Sequence, residues 1–173
     1  MIVQSQGHGF DHRPVLDALA TGGIALVRPH SWHVAIHVAG QGLIEIEDFI
    51  RSIEVPVVID HMGRPDIAEG LDGATMTVLR RLLDTSRVWA KLSGVDRLSR
   101  IGAPYRDAVP FAQSFVAHAP DRVLWGTEWP HVNLHGPMPD DADLVDLIAE
   151  SALTDAARHR FLVENPAHFF GFK

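Results

Sequence analysis

Polar residues with acid–base and ligand-binding chemistry follow three apolar, β-branched runs of the 173-residue chain. His61 comes shortly after the run 55–59, Glu128 follows the run 123–126, and a third polar segment, 93–97, follows another such run. In a parallel α/β barrel, side chains at the carboxyl ends of the strands meet at one mouth. An imidazole and a carboxylate there suit hydrolysis, because either group can take a proton from water while the other polarises a carbonyl or stabilises charge.

The two-residue period of a strand predicts where the two groups point. It places His61 on the face of Val57 and Glu128 on the face of Leu124, and we expect both to point into the mouth. A simpler alternative stays open, because polar residues after strands are also common turn formers. In that alternative His61 caps the next segment and Glu128 pairs with Lys91 or an arginine.

Two arginines also lie a few residues past predicted strands, Arg64 and Arg97. A guanidinium in such a position could grip a substrate carboxylate in bidentate fashion. Arg97 is the better candidate, and we assign it to substrate binding. The alternative is an ordinary exposed loop arginine.

His33 and His37 lie four residues apart in and beside a predicted strand, and therefore on one face. Two such histidines could be metal ligands if a carboxylate joined them. Hydrogen-bonded residues of the inner face are the favoured interpretation, and we assign His37 to substrate binding rather than to a metal.

The spacing of the elements predicts how these groups are positioned. The apolar runs at 55–59, 88–92 and 123–126 are continuous, as in strands buried on both faces, and lie about one βα unit apart. Parallel pairing follows. The predicted elements are strands at 2–4, 34–38, 55–59, 88–92 and 123–126, a doubtful strand at 24–27, and helices at 14–20, 43–53, 75–83, 104–118, 141–151 and 155–164.

Composition narrows the class of protein and its partners. The chain has no cysteine, which excludes disulfides and thiolate chemistry and is what a reducing compartment permits. A net charge of −7 is the wrong sign for binding nucleic acid. Neither a signal peptide nor a membrane-length apolar run is found, so we expect a cytoplasmic protein whose partner is a small carboxylate substrate, with no nucleic acid and no membrane.

Four ordered segments carry a family resemblance: VVIDHMGRP at 57–65, KLSGVDRLS at 91–99, DRVLWGTEWPH at 121–131 and ENP at 164–166. They resemble the amidohydrolase-2 family of TIM-barrel hydrolases, and within it the branch of 2-pyrone-4,6-dicarboxylate hydrolases. The similarity covers nearly all of 32–170 and, more weakly, 2–20. It implies lactone hydrolysis of a planar dicarboxylate in aromatic degradation, with no metal and no other cofactor.

The resemblance also implies a role for each matching residue. His61 matches a histidine that polarises the lactone carbonyl, and Arg97 matches an arginine that binds a substrate carboxylate. Glu128 stands where the family has the aspartate that activates water. Ser93, in the same loop as Arg97, is assigned to substrate binding.

The sequence departs from the family pattern in three places. No His-x-His pair precedes Ile2, where the first strand of the family carries one. The junction at 24–32 passes almost directly to the next strand, where the family has further strands, a helix and substrate-binding arginines. Glu128 is one methylene longer than the expected aspartate, and a displacement near 1 Å at a reacting group can cost on the order of a hundredfold in rate.

Length predicts an open barrel. A closed (β/α)8 barrel takes about 250 residues, so we predict one domain over 1–173 that is an incomplete TIM-type barrel with about five or six parallel strands. Its open edges favour self-association with another copy. Three functions stay in view: a pyrone-dicarboxylate lactone hydrolase, a noncatalytic remnant that self-associates or weakly binds carboxylates, and a metal-dependent family member that uses His61 and Glu128 as ligands.

Overall fold

A computed structural model describes residue 17, residues 22–132, residue 134 and residues 136–172. The predicted strand at 2–4 lies outside these residues, as does the predicted helix at 14–20 except for Asp17. Within them the fold is an α/β arrangement around one parallel sheet.

The sheet has four strands in the described residues: β1 (Val34–Ile36), β2 (Val57–Ile59), β3 (Val88–Leu92) and β4 (Val123–Trp125). They are parallel and lie side by side in chain order, with Val57 beside both Val34 and Val88, and Ala90 beside Val123. Sequential parallel strands joined by helices are the pattern of a βα-barrel, and here they form an open section of one. The described residues form four strands, whereas the sequence predicted about five or six.

Nine α-helices are found in the same residues: α1 (Ile24–Val27), α2 (Gln41–Glu45), α3 (Glu47–Ser52), α4 (Ala74–Leu83), α5 (Val95–Leu98), α6 (Val109–His118), α7 (Asp141–Ser151), α8 (Asp155–His159) and α9 (Asn165–Phe170). A π-helical turn, Arg160–Glu164, joins α8 to α9. None of the helices in this described part of the chain is both long and apolar enough to cross a bilayer.

The main core lies between the helices and one face of the sheet, which we call the outer face. Val57, Ile59 and Ala90 present that face, and α4 covers it with apolar side chains at helical spacing such as Met76 and Leu79. All five side chains are buried. This burial holds the strands in place and directs the opposite face towards the interior of the barrel section.

The opposite, inner face carries Val58, Trp89 and Leu124, and Phe169 of α9 packs against them. The Trp89 and Phe169 rings meet edge to face with centroids 4.8 Å apart. Buried Asn165, at the start of α9, donates hydrogen bonds of 2.9 Å to the carbonyls of Pro120 and Val123. The carboxyl-terminal helix therefore covers the part of the inner face that lies away from the mouth.

Four predicted elements differ from the structure. The helix predicted at 104–118 begins only at Val109, after a short 3-10 helix, Arg106–Ala108. The segment 24–27 is helix α1 and not a strand, because its connection to β1 is too short for a parallel crossover and one helical turn already buries Val27. The helix at 43–53 is divided into α2 and α3 at Ile46. The Asn165-Pro166 pair begins α9 rather than ending a helix, since proline in the first helical turn sacrifices no intrahelical donor.

Candidate active site

The side chains that the sequence predicts to be functional lie where the strands end. His37 and Ser93 continue the inner-face alternation of Ala35 and Lys91 beyond β1 and β3, whereas Glu128, in the loop after β4, takes a left-handed backbone conformation with φ of 74°. β1, β3 and β4 are parallel strands of one sheet, so their carboxyl ends lie at the same edge and the three side chains face one shared mouth.

His61 reaches the same mouth by a different route. Val57 and Ile59 lie on the outer face under the helices, so simple alternation would send His61 into the core, and that part of the prediction is wrong. β2 ends at Ile59, and His61 and Met62 take left-handed backbone conformations with φ of 52° and 55°. The turn buries Met62 beneath the helices and brings His61 beside Glu128.

Four of the predicted residues make direct contacts. Nε2 of His61 lies 3.5 Å from Oε1 of Glu128, and Nδ1 of His61 lies 2.9 Å from Oγ of Ser93. Nε of Arg97 donates a 2.8 Å hydrogen bond to Oε2 of Glu128. The side chains of His61, Glu128 and Arg97 are 12%, 10% and 13% exposed, so the cluster is largely desolvated.

The sequence left two interpretations of Glu128 open, a site residue beside His61 and an ion-pair partner of Lys91 or an arginine. The structure combines the two. Glu128 pairs with an arginine, Arg97, while Lys91 donates a 2.6 Å hydrogen bond to Asp60. The ion pair does not remove Glu128 from the site, because its second oxygen faces His61.

Gly94 allows this close approach. Its φ is +68°, and a Cβ added there would lie 3.1 Å from Cβ of His61 and 3.2 Å from Oε2 of Glu128. A side chain at this position would press on both groups at once, so the glycine is needed for backbone conformation and for space.

His33 and His37, the two histidines near β1, have different surroundings. His37 meets His61 edge to face, with ring centroids 4.7 Å apart, and so joins the site. His33 instead contacts Phe169, with centroids 4.9 Å apart. Within the described residues neither histidine belongs to a group of three ligating side chains that could hold a metal ion.

Burial determines the charge state of the site histidines. The pKa of His61 is lowered to about 4, chiefly by burial; Asp60 opposes this shift, and the nearby His37, Lys91 and Arg97 add to it. Burial, and next the charge of Arg64, also lowers the pKa of His37. His61 is therefore neutral near pH 7, with one ring nitrogen able to donate and the other able to accept a hydrogen bond.

Two residues to which the sequence assigned no role, Asp96 and His131, complete the surroundings of Glu128. Both carboxylate oxygens of Asp96 and Nδ1 of His131 are buried without a hydrogen-bond partner among the described residues. His131 is only 4% exposed, and its Nε2 lies 3.2 Å from Oδ1 of Asp141. Asp96 directly precedes Arg97, and His131 follows Glu128 by three residues, inside two of the segments that carry the family resemblance. This proximity in the sequence could have identified them.

Asp96, Glu128 and His131 could also hold a cation. One potential ligand atom from each lies within 4.8 Å of the others. Two carboxylates and an imidazole are a donor set that divalent transition metals accept, and buried polar atoms without partners call for an ion, a water or a proton. The residues present thus fit a divalent cation as well as a metal-free site.

Comparison with known proteins places this arrangement in a family. A family model described as amidohydrolase matches residues 2–172, nearly the whole chain. The chain belongs to this amidohydrolase family. Its open sheet is therefore an incomplete portion of the amidohydrolase TIM barrel.

Named relatives of this amidohydrolase include lactone enzymes. A 4-sulfomuconolactone hydrolase of Rhizobium radiobacter is 44% identical over 146 residues, which are 83% of this chain and 49% of that protein. A 2-pyrone-4,6-dicarboxylate hydrolase of Comamonas testosteroni is 43% identical over 148 residues, 80% of this chain and 48% of that protein. The chain spans about half the length of these relatives.

Solved structures give the same result. The apo crystal structure of an Agrobacterium tumefaciens protein superposes with a TM-score of 0.76 and 36% identity, covering 86% of this chain and 53% of that one. A probable 2-pyrone-4,6-dicarboxylic acid hydrolase from Acinetobacter baumannii, with citric acid bound, gives a TM-score of 0.70 and 26% identity over 82% of this chain and 53% of that one. The described amidohydrolase sheet thus matches part of a larger barrel.

Proposed function

We propose that this amidohydrolase hydrolyses a lactone that carries acidic groups, with 2-pyrone-4,6-dicarboxylate as the substrate of choice. The observation that carries the proposal is the contact of a neutral imidazole, a carboxylate and a guanidinium at one mouth: His61, Glu128 and Arg97. Support comes from the names of two relatives, since sulfomuconolactone and pyrone dicarboxylate are both acidic lactones.

Glu128 is the general base of the proposed reaction. Arg97 occupies its Oε2, so Oε1 is the oxygen that accepts a proton from water. The resulting hydroxide equivalent forms a bond to the lactone carbonyl carbon, and the ring C–O bond then breaks. Glu128 returns the proton to the ring oxygen as it leaves, which gives an open-chain acid.

His61 is the electrophilic partner. Because the imidazole is neutral near pH 7, a hydroxyl hydrogen bond from Ser93 to Nδ1 leaves the ring proton on Nε2, which faces the reacting groups. Nε2–H then donates to the carbonyl oxygen as negative charge develops there. Ser93 orients the ring and His37 packs against its edge.

Arg97 is the proposed carboxylate anchor. It donates to Glu128 and, through a second nitrogen, to the carbonyl of Val132 at 2.8 Å. The guanidinium has further N–H groups, which can hold a substrate carboxylate beside the base. Ser93 and His37 complete the proposed binding surface.

The test compares ring opening of 2-pyrone-4,6-dicarboxylate by the wild type and by Glu128→Gln. The reaction is measured as the loss of the pyrone absorbance. Loss of a general base lowers kcat about 10²–10⁴-fold, so the variant should be nearly inactive with KM little changed. Glu69→Gln, an exposed change outside the mouth, is the matched control. Equal rates in wild type and Glu128→Gln would remove Glu128 from the mechanism.

A noncatalytic remnant is the competing function, because the described sheet has four strands and two open edges. Under it, the chain binds carboxylates weakly and turns nothing over. Turnover that is abolished in His61→Ala counts against this alternative, whereas no turnover by the wild type supports it.

We also propose that a second copy of the chain pairs with the open edges. Edge strands leave backbone donors and acceptors unpaired, and exposed Trp32 and Trp129 lie shortly before β1 and after β4. Sedimentation of the purified protein should give a mass above the 19.1 kDa of one chain. A compact monomer at all concentrations would contradict self-association.

A metal-dependent reaction is the second candidate, favoured by the unpartnered buried atoms of Asp96 and His131 around Glu128. A divalent cation held there would supply Lewis-acid chemistry. Elemental analysis of the purified protein distinguishes the candidates: stoichiometric zinc or manganese that is lost in Asp96→Asn supports the metal, and ring opening by metal-free protein supports the metal-free reaction.

A further inference from the structure

A cavity adjoins the active site. It has a volume of about 290 Å³ and lies between the turns that follow β1 and β2 and the segment that follows β3. Its walls include Ala39, Arg64, Pro65, Asp66, Arg97 and Arg100. Arg97 lies in both the cavity wall and the active site, so a ligand in one can extend into the other.

Only one of the three arginines is left without a carboxylate in the described part of the chain. Arg97 donates to Glu128, and Arg100 donates to Asp66 at 2.8 Å. The guanidinium of Arg64 has no hydrogen bond or ion pair with any of the described residues, although the residue is half-buried. The cavity therefore has an uncompensated positive charge at Arg64.

The backbone fixes Arg64 in position. Its φ is +47°, and its N–H donates to the carbonyl of His61 at 2.9 Å. Gly40 holds the same turn from the other side, through a 3.0 Å hydrogen bond from its N–H to the carbonyl of Gly63. The turn therefore fixes the point from which the Arg64 side chain enters the cavity wall.

Arg64 also lies near the reacting groups. Its charge reaches His37 strongly enough to help lower the pKa of that histidine, after burial. The His37 ring in turn touches His61, with centroids 4.7 Å apart. Because Arg64 and Arg97 line one cavity and Arg97 contacts Glu128, a ligand with an anionic group at Arg64 can extend to the reacting groups.

We propose that Arg64 is a specificity-determining residue, which binds a carboxylate of the substrate at a distance from the carbonyl under attack. This inference rests on the proposed lactone hydrolysis. Arg97 and Arg64 would then hold two acidic groups of one planar ligand, and the enzyme would prefer dianionic over monoanionic lactones. The sequence alone favoured Arg97 over Arg64, but the guanidinium of Arg97 already donates to Glu128 and Val132, whereas that of Arg64 has no partner among the described residues.

The kinetic test compares 2-pyrone-4,6-dicarboxylate with a 2-pyrone monocarboxylate in the wild type, Arg64→Gln and Arg64→Lys. A lost charge-assisted hydrogen bond should raise KM for the dicarboxylate about ten- to hundredfold in Arg64→Gln, with kcat within a few-fold. KM for one of the two monocarboxylate isomers should be nearly unchanged, and Arg64→Lys should recover part of the loss. Arg106→Gln is the matched control, since Arg106 pairs with Glu150 elsewhere on the surface.

A binding test separates this inference from the proposed reaction. Calorimetry with pyridine-2,4-dicarboxylate, which cannot be hydrolysed, should show binding to the wild type that Arg64→Gln weakens at least tenfold. If the wild type binds this probe through Arg64 but opens no lactone, the subsite stands and the proposed reaction fails. Equal KM and equal probe affinity in wild type and Arg64→Gln, or no probe binding by the wild type, would overturn the subsite.

Discussion

Replacing Gly94 by alanine should damage the active site more than its single methyl group suggests. The added Cβ would lie 3.1 Å from Cβ of His61 and 3.2 Å from Oε2 of Glu128, whereas carbon atoms in contact prefer about 3.5–4.0 Å. His61 must therefore move by roughly 0.5 Å. Because a 1 Å misplacement can cost about a hundredfold in rate, we expect kcat for ring opening to fall about tenfold.

The control for this change is Gly102→Ala. Gly102 has a similar φ, +78° against +68° for Gly94, but a Cβ there meets nothing within 4 Å. Both variants carry the backbone cost of an L-residue in the left-handed region, about 1–2 kcal/mol, and should lose a similar part of their thermal stability from that source. Steady-state kinetics and thermal unfolding on both proteins separate the two effects. If Gly102→Ala loses as much kcat as Gly94→Ala, the steric reasoning about His61 and Glu128 is wrong.

Two further predictions concern stability. His61 has its pKa lowered from 6.5 to about 4, so the folded state binds fewer protons between those values than the unfolded state, and stability should fall as the pH drops from about 6.5 to about 4. Relative to His61→Gln the loss should reach about 3 kcal/mol, measured by urea unfolding at several pH values; parallel curves for the two proteins would refute it. Asn165→Ala leaves the carbonyls of Pro120 and Val123 unpaired, and should lower the free energy of unfolding by about 2 kcal/mol and Tm by about 4–8 °C. An unchanged Tm would show that α9 does not depend on these bonds.

The strands could be predicted because burial leaves a strong pattern in the sequence. The continuous apolar runs gave β2, β3 and β4 and, with their spacing, the parallel order of the sheet. Ile24–Val27 has the same apolar character but forms a helix, since composition alone does not distinguish a short strand from a buried helical turn. What decided its structure was the short connection to β1.

The site could be predicted only in part, for a geometric reason. His61 and Glu128 both lie past the ends of their strands in left-handed backbone conformations, with φ of 52° and 74°, and no two-residue period reveals where such side chains point. The unpartnered atoms of Asp96 and His131 are likewise a property of three-dimensional packing. The sequence favoured Arg97 over Arg64, and only the folded chain shows that the Arg97 guanidinium is already paired with Glu128.

The most direct test of the account is a double-mutant cycle on ring opening with His61→Ala, Glu128→Gln and the two changes combined. If both side chains act in one reaction at one mouth, each single change removes most of kcat/KM, and the double variant is about as slow as the slower single variant. Additive losses from the two changes, or a wild-type rate no faster than the spontaneous reaction, would contradict the central claim.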